Sequence, residues 1–200
     1  MRSNAARLNF SSYMLENGEK LRTLLEERGL RVGPILLSTG QKSNFYFDCK
    51  RVTLHAEGAD LVASAFLAVI DSLPQRPDAI GGLTHGADPI IGAVQMKALQ
   101  RGDAIEGFYV RKEPKKHGTM QHIENPPERG SNVVIVDDVV TSGKSVILAI
   151  NKVQESGSNV VAVIALVDRG EGGAEEIQKL CPYYRAIYTF NDFPKLRELS

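Results

Sequence analysis

The stretch Val133-Val134-Ile135-Val136-Asp137-Asp138-Val139-Val140-Thr141-Ser142-Gly143-Lys144-Ser145 constrains this chain more than any other. β-Branched residues run together, two carboxylates follow, and then comes a short run of hydroxyls around a glycine. Residues 146–153 continue with apolar positions at helical spacing. That order reads as a strand buried on both faces, a turn at its carboxyl end, and a helix. Open α/β sheets bind ligands outside the carboxyl ends of their strands. The turn Thr141-Ser142-Gly143-Lys144-Ser145 can aim several backbone N–H groups at one anion, and the helix start adds the positive end of its dipole. A phosphate group fits that description.

Gly143-Lys144-Ser145 invites a nucleotide-triphosphate loop, but that pattern needs a glycine where Asp138 stands. Two adjacent acids would also repel a triphosphate. Carboxylates accept hydrogen bonds and suit a partner rich in hydroxyls. Paired acids beside a monophosphate cradle point to a ribose 5-phosphate, with Asp137 and Asp138 near the 2- and 3-hydroxyls. The competing reading is an ordinary strand-to-helix turn with an aspartate cap. It accounts for Asp138 alone but not for the whole string, in which each part has a separate physical task.

The string closely resembles the phosphoribosyl diphosphate signature of the type I phosphoribosyltransferases. The resemblance implies an α/β fold: a central, mostly parallel sheet flanked by helices, with a small N-terminal hood formed mainly by residues 12–50. It implies one domain over residues 1–200. It also implies a substrate activated at C1 by a diphosphate leaving group on Mg²⁺, the metal being held mainly by substrate oxygens and water. On that resemblance Asp137, Asp138, Val139, Val140 and Thr141, Ser142, Gly143, Lys144 and Ser145 bind phosphoribosyl diphosphate.

Two hundred residues with 42% hydrophobic content suffice for one domain with a sizeable core. Zero formal net charge and a pI near 6.9 give no general attraction to nucleic acid or membrane. No apolar run approaches the roughly twenty residues of a membrane-spanning helix. Cys49 and Cys181 stand far apart without metal spacing, which reads as free thiols in a reducing cytoplasm. The first twelve residues lack acids and carry Arg2 and Arg7, as a transit peptide would. Their low apolar content and lack of a cleavage pattern favour a frayed arm.

Along the chain, Leu15, Leu21, Leu24 and Leu25 predict a helix stopped at Gly29. Residues 32–37 hold Gly33-Pro34 and read as extended. A polar turn, 38–43, leads into Asn44-Phe45-Tyr46-Phe47. Alternation buries either Phe45 and Phe47 or Tyr46, so an edge strand packed on the core and an aromatic wall over a flat base stand equal. Residues 57–73 predict a helix, 78–83 a strand, 89–99 a helix and 104–110 a strand. Thr84-His85-Gly86-Ala87-Asp88 lies at a strand's carboxyl end and suits a diphosphate; His85 there is either a ligand contact or simply solvated. Residues 159–167 predict a second buried strand and 174–180 a short helix. Residues 185–190 predict a last strand and 193–199 a terminal helical turn.

Residues 111–130 hold three prolines and no apolar period. A loop that long in a compact domain is functional or disordered. Arg111, Lys112, Lys115, Lys116 and His117 concentrate positive charge there in a chain of zero net charge. After the second buried strand comes Asp168-Arg169-Gly170-Glu171-Gly172-Gly173. Arg169 either pairs with Asp168 or Glu171 or offers a guanidinium fork to a ligand carboxylate.

Four blocks, in order, resemble one branch of the family, the orotate phosphoribosyltransferases: the hood, the basic loop, the signature and the Arg169 turn. That resemblance implies transfer of a 5-phosphoribosyl group from phosphoribosyl diphosphate to orotate. It places Tyr46, Phe47, Thr141 and Arg169 at orotate. It places Arg111, Lys112, Lys115 and His117 at the diphosphate, with Lys115, His117 and Asp138 as the catalytic set. Ser38 stands where some members have a lysine. It further implies a homodimer in which a mobile loop, 111–130, closes over the neighbouring subunit's site. Alternatives are a purine-base phosphoribosyltransferase, which needs no carboxylate fork, and a nucleic-acid-binding regulator, which would need a basic face.

Overall fold

The structure is a computed structural model and describes residues 9–36, 42–113 and 122–197. Its centre is one sheet of six strands: β3 (Ala79–Leu83), β4 (Glu106–Val110), β5 (Ile123–Glu124), β6 (Asn132–Val140), β7 (Asn159–Asp168) and β8 (Tyr184–Thr189). The order is β5-β4-β3-β6-β7-β8. Every pairing is parallel except β4 with β5. Val133, Val134, Ile135 and Val136 are each fully buried, as a strand covered on both faces requires.

Alternation along β6 assigns the two faces. Val134 and Val136 join the cluster built by α4 (Ala56–Asp71), α5 (Asp88–Gln100) and the N-terminal helix. Val133 and Ile135 join the cluster built by α6 (Lys144–Glu155) and α7 (Gly173–Gln178). Each such side chain contributes about 1.5–3 kcal/mol through burial. Truncating Ile135 to alanine should therefore cost about 2–5 kcal/mol. The fold expected from the signature, a parallel sheet with helices on both faces, is the fold observed.

Residues 10–29 are helical throughout. α-Helical turns at Phe10–Tyr13 (α1) and Glu19–Leu24 (α2) alternate with wider π turns at Met14–Gly18 and Leu25–Gly29. Leu21 and Leu25 are fully buried, but Leu15 is 88% exposed and is not part of the stripe. Leu15 lies in the first π turn, whose wider winding breaks the 3.6-residue spacing that the stripe assumes. Two hydroxyls tie this helix down: Tyr13 donates to Leu61 O (2.6 Å) and Tyr188 donates to Gly18 O (2.7 Å).

β1 (Leu30–Leu36) and β2 (Lys42–Phe47) form a separate antiparallel hairpin, at the position expected for the hood. Its register slips between Val32 and Ile35, where Gly33 and the N–H-less Pro34 interrupt the ladder. A single helical turn, α3 (Lys50–Thr53), then leads to α4. The sequence reading missed that turn; four residues are too few for a visible period.

The stretch 111–130 is not entirely without secondary structure. Ile123 pairs with Val110 and Glu124 with Tyr109, so the chain returns to the sheet as β5. One buried apolar residue, Ile123, carries that return, and one residue makes no period. Lys115 and His117 lie outside the described residues, as does Ser38. Cys49 and Cys181 are free and buried, and burial pushes both thiols up. Among the described residues no helix is long and apolar enough to cross a membrane.

Candidate active site

The chain leaves β3 for β4 on one side of the sheet and leaves β6 for β7 on the other, while β3 and β6 are neighbours. Strand order reverses between them, which opens a crevice at their carboxyl ends. Two loops face each other there: residues 84–88 after β3 and residues 141–143 after β6.

Asp137 and Asp138 lie near the carboxyl end of β6, and each is 7% exposed. Asp137 Oδ1 accepts the Asp138 N–H (3.0 Å), and Asp138 Oδ1 accepts the Val139 N–H (2.9 Å). Burial, then the neighbouring Asp138 charge, pushes the Asp137 carboxyl up to about 8. The two acids are therefore unequal. Asp137 holds its proton more tightly than an ordinary aspartate, whereas Asp138 faces the Lys50 ammonium across 3.4 Å. Gly86 explains how the opposing loop comes so close. A Cβ at Gly86 would lie 2.5 Å from Asp138 Oδ1 and 2.6 Å from Asp137 Oδ1. Only glycine leaves both carboxylates where they are.

The turn expected to cradle a phosphate follows at once. Gly143 takes a left-handed φ of 76° and caps α6. The first helical bond recorded after it runs from Ile147 N to Gly143 O, so the N–H groups of Lys144, Ser145 and Val146 have no acceptor inside the helix. Ser142, Lys144 and Ser145 are exposed and Thr141 is half-buried, as an anion-binding turn requires. The turn is supported from behind by Gly173, where a Cβ would collide with the Thr141 carbonyl and crowd Gly143 N. The glycine pair after Arg169, read from sequence as an open backbone, thus includes a packing contact under the cradle.

Arg169 is the third component. It is 6% exposed, and its N–H bonds to Val140 O (3.0 Å), which joins its turn to the end of the signature strand. Asp168 braces that turn, accepting from Gly170 N (2.8 Å) and from the Tyr184 hydroxyl (2.7 Å). Burial and the bond to Asp168 push the Tyr184 hydroxyl up, so it remains a donor. The Arg169 Nη2 meets Glu171 Oε1 (2.7 Å), Ser43 Oγ (3.1 Å) and Phe45 O (3.5 Å). Its carbon centre lies 4.7 Å from the Phe45 ring centroid. Its Nε is buried and has no hydrogen-bond partner among the described residues. An unmet buried donor on a charged group is costly, at about 1–3 kcal/mol or more. Of the two sequence readings of Arg169, the pair with Glu171 is present, and Nε keeps a donor without a partner among the described residues.

Two expectations need correction or relocation. Phe47 is 3% exposed and packs against Phe193 at 4.7 Å between ring centroids, so it belongs to the core and offers no face to a ligand. Alternation puts Phe45 on the same side of β2, nearer the open end, and Phe45 is the aromatic against Arg169. Tyr46, on the other side of the strand, is half-buried. Arg111 pairs with Glu124 at 3.1 Å on the β4–β5 edge, where it and Lys112 line a cavity of about 810 Å³ that also reaches Thr84, His85 and Asp88 of the loop after β3. β3 lies between that edge and β6, so the described residues do not bring Arg111 or exposed Lys112 to the acids. His85 is 89% exposed and stands in the loop beside them.

A sheet-edge crevice with paired acids, an anion turn and a cation facing the hood defines a phosphoribosyltransferase-type site. The family model described as the phosphoribosyl transferase domain matches residues 50–193, and the chain belongs to that family. Within it, this chain belongs with the orotate phosphoribosyltransferases. Orotate phosphoribosyltransferase of Rhodopirellula baltica is 42% identical over 176 residues, covering 85% of this chain and 90% of that one. Among solved structures, orotate phosphoribosyltransferase of Mycobacterium tuberculosis in complex with Fe(III) dicitrate superposes with a TM-score of 0.74 at 33% identity, over 86% of this chain and 96% of that one. The same protein in complex with 5-phospho-alpha-D-ribosyl 1-diphosphate gives a TM-score of 0.70 at 31% identity, over the same shares, 86% and 96%.

Proposed function

We propose that this chain is an orotate phosphoribosyltransferase, a pentosyltransferase that joins orotate to the C1 of phosphoribosyl diphosphate and releases diphosphate. The product, orotidine 5-monophosphate, belongs to pyrimidine nucleotide synthesis. The observation that carries the choice of base is Arg169, a buried guanidinium with an unmet Nε beside an aromatic ring. A planar carboxylated base satisfies both: the ring lies on Phe45, and the carboxylate takes the fork. Purine bases have no carboxylate to offer it.

In this reading Asp138 accepts from a ribose hydroxyl, and Asp137, where it holds its proton, can donate to the sugar. Residues 141–145 hold the 5-phosphate, and Thr141 also borders the base. Arg111, Lys112, Lys115 and His117 meet the diphosphate, an assignment that rests on the family resemblance. Positive charge grows on the ribose C1 and O4 as diphosphate leaves, and negative charge grows on the leaving group. Fixed cations and N–H dipoles aimed at that charge lower the barrier without reorganising. Mg²⁺ suits this edge, where carboxylate oxygens face a phosphate-rich substrate, and when bound it would offset the diphosphate charge. Substrate oxygens and water would hold it in the main.

We also propose one domain with a hood over residues 12–50 and a loop at 111–130 that serves the neighbouring subunit of a homodimer. Exposed Met96, Leu99 and Tyr109 flank the edge from which that loop leaves, which supports a second copy there. The test of base choice is turnover with orotate, hypoxanthine and adenine in parallel, each with phosphoribosyl diphosphate and Mg²⁺. Consumption of orotate alone is expected; consumption of a purine instead overturns the reading.

A further inference from the structure

Lys50 reaches into the site from the hood side. It opens α3, three residues after the end of β2, and its neighbours Cys49 and Val52 are fully buried. The start of the side chain is therefore fixed by the core. Its Nζ stands 3.4 Å from Asp138 Oδ2, from a residue 88 positions away in sequence. Asp138 Oδ1 is already committed to the Val139 N–H, so Oδ2 is the oxygen that Lys50 meets. At 3.4 Å the ammonium orients that oxygen without filling its acceptor capacity.

The pair makes little sense as glue. The Lys50 side chain is 44% exposed, and a half-exposed pair at this distance contributes little to folding. Its charge has a more specific effect. Burial alone would draw the Lys50 ammonium down, yet the Asp138 charge and hydrogen bond outweigh it and hold the ammonium up. Two polar ties thus run from the hood to the binding edge: Lys50 on Asp138 just past β2, and Arg169 on Ser43 and Phe45 near its start.

We infer that Lys50 is a positioning residue for phosphoribosyl diphosphate, holding the Asp138 carboxylate in the orientation that accepts a ribose hydroxyl and linking the hood to the ribose subsite. The inference rests on the reading of Asp138 as a ribose contact, and not on orotate as the base. Calorimetric titration of phosphoribosyl diphosphate with Mg²⁺, without any base, therefore tests it separately from base choice. Lys50→Met should weaken binding about five- to tenfold, since an exposed-side ion pair transmits only part of a charged hydrogen bond. Lys50→Arg should restore most of that loss. In an Asp138→Asn background Lys50→Met should add nothing, because the group it positions is gone. Thermal melts accompany each variant, and Lys50→Gln replaces Lys50→Met if the latter is misfolded. Wild-type affinity in Lys50→Met, or an equal loss with and without Asp138, overturns the inference. A wild-type chain that binds no phosphoribosyl diphosphate overturns it together with the proposed function. One that binds it but ignores orotate overturns only the choice of base.

Discussion

Gly86→Ala is the most direct probe of the crevice. A Cβ there would sit 2.5 Å and 2.6 Å from the two carboxylate oxygens, against an ordinary contact of at least 3.4 Å, a deficit of about 0.8–0.9 Å on each. Neither acid can retreat freely, because each Oδ1 is bonded to the backbone of its own strand. The loop and the acids must therefore move apart by most of an ångström. Overpacking of this kind costs about 1–3 kcal/mol of stability, which in a chain of this size lowers the melting temperature by about 2–10 °C. The functional cost should be larger in proportion. A misplacement of about 1 Å at reacting groups can reduce a rate by about a hundredfold. Steady-state kinetics at saturating orotate should show kcat/KM for phosphoribosyl diphosphate falling by about thirty- to hundredfold. Gly92→Ala is the control, since nothing lies within 4 Å of a Cβ there and it adds the same methyl to exposed helix. Wild-type kcat/KM in Gly86→Ala would refute the assignment of Asp137 and Asp138 to substrate. A lowered melting temperature with intact kinetics would refute it equally.

Asp137→Asn should be more stable than the parent at alkaline pH. The parent carboxyl is raised in the folded state, so its contribution is complete below its ordinary value of 3.8 and is lost as pH rises through about 8. Melts from about pH 5 to about pH 9 should show the difference growing in the variant's favour, and parallel curves would mean that the acid is not buried. Arg169→Ala should raise KM for orotate about ten- to hundredfold and far more than KM for phosphoribosyl diphosphate. Arg169→Lys should not rescue it, because one ammonium cannot serve Ser43, Phe45 O, Glu171 and a ligand together. Equal effects on both substrates would make Arg169 structural. Lys115→Ala and Asp138→Asn, each inactive alone, should recover roughly a quarter of parental activity when subunits are mixed, since about half of random dimers are mixed and each holds one intact site. No recovery after exchange is confirmed by mass spectrometry would place the loop's action within one subunit.

The signature was legible because its residues act over short range. Val133 to Val136 announce a doubly covered strand, and Gly143 announces the turn, without reference to the rest of the chain. The unequal roles of Asp137 and Asp138 were not legible, since they depend on burial and on Lys50, 88 positions away. Phe45 and Phe47 were indistinguishable by alternation. What separates them is that Phe193, near the other end of the chain, covers one ring while Arg169 covers the other. Ile123 returned to the sheet unseen because one apolar residue in a polar stretch carries no periodicity. Gly86 and Gly173 looked like ordinary turn residues, and their function as points of close approach requires knowing which loop lies opposite.

The placement of β6 also sets how the molecule breathes. Its ladder is bonded on both sides, to β3 and to β7, whereas β1 and β2 are bonded only to each other. Amides of a doubly bonded central strand exchange with solvent only when the whole domain opens, while an isolated hairpin frays far more often. Deuterium uptake should therefore be slowest at residues 134–136 and orders of magnitude faster across the hairpin. The surface that receives the sugar phosphate would then persist through many openings of the hood, so ligand could enter and leave without disturbing the floor on which it rests.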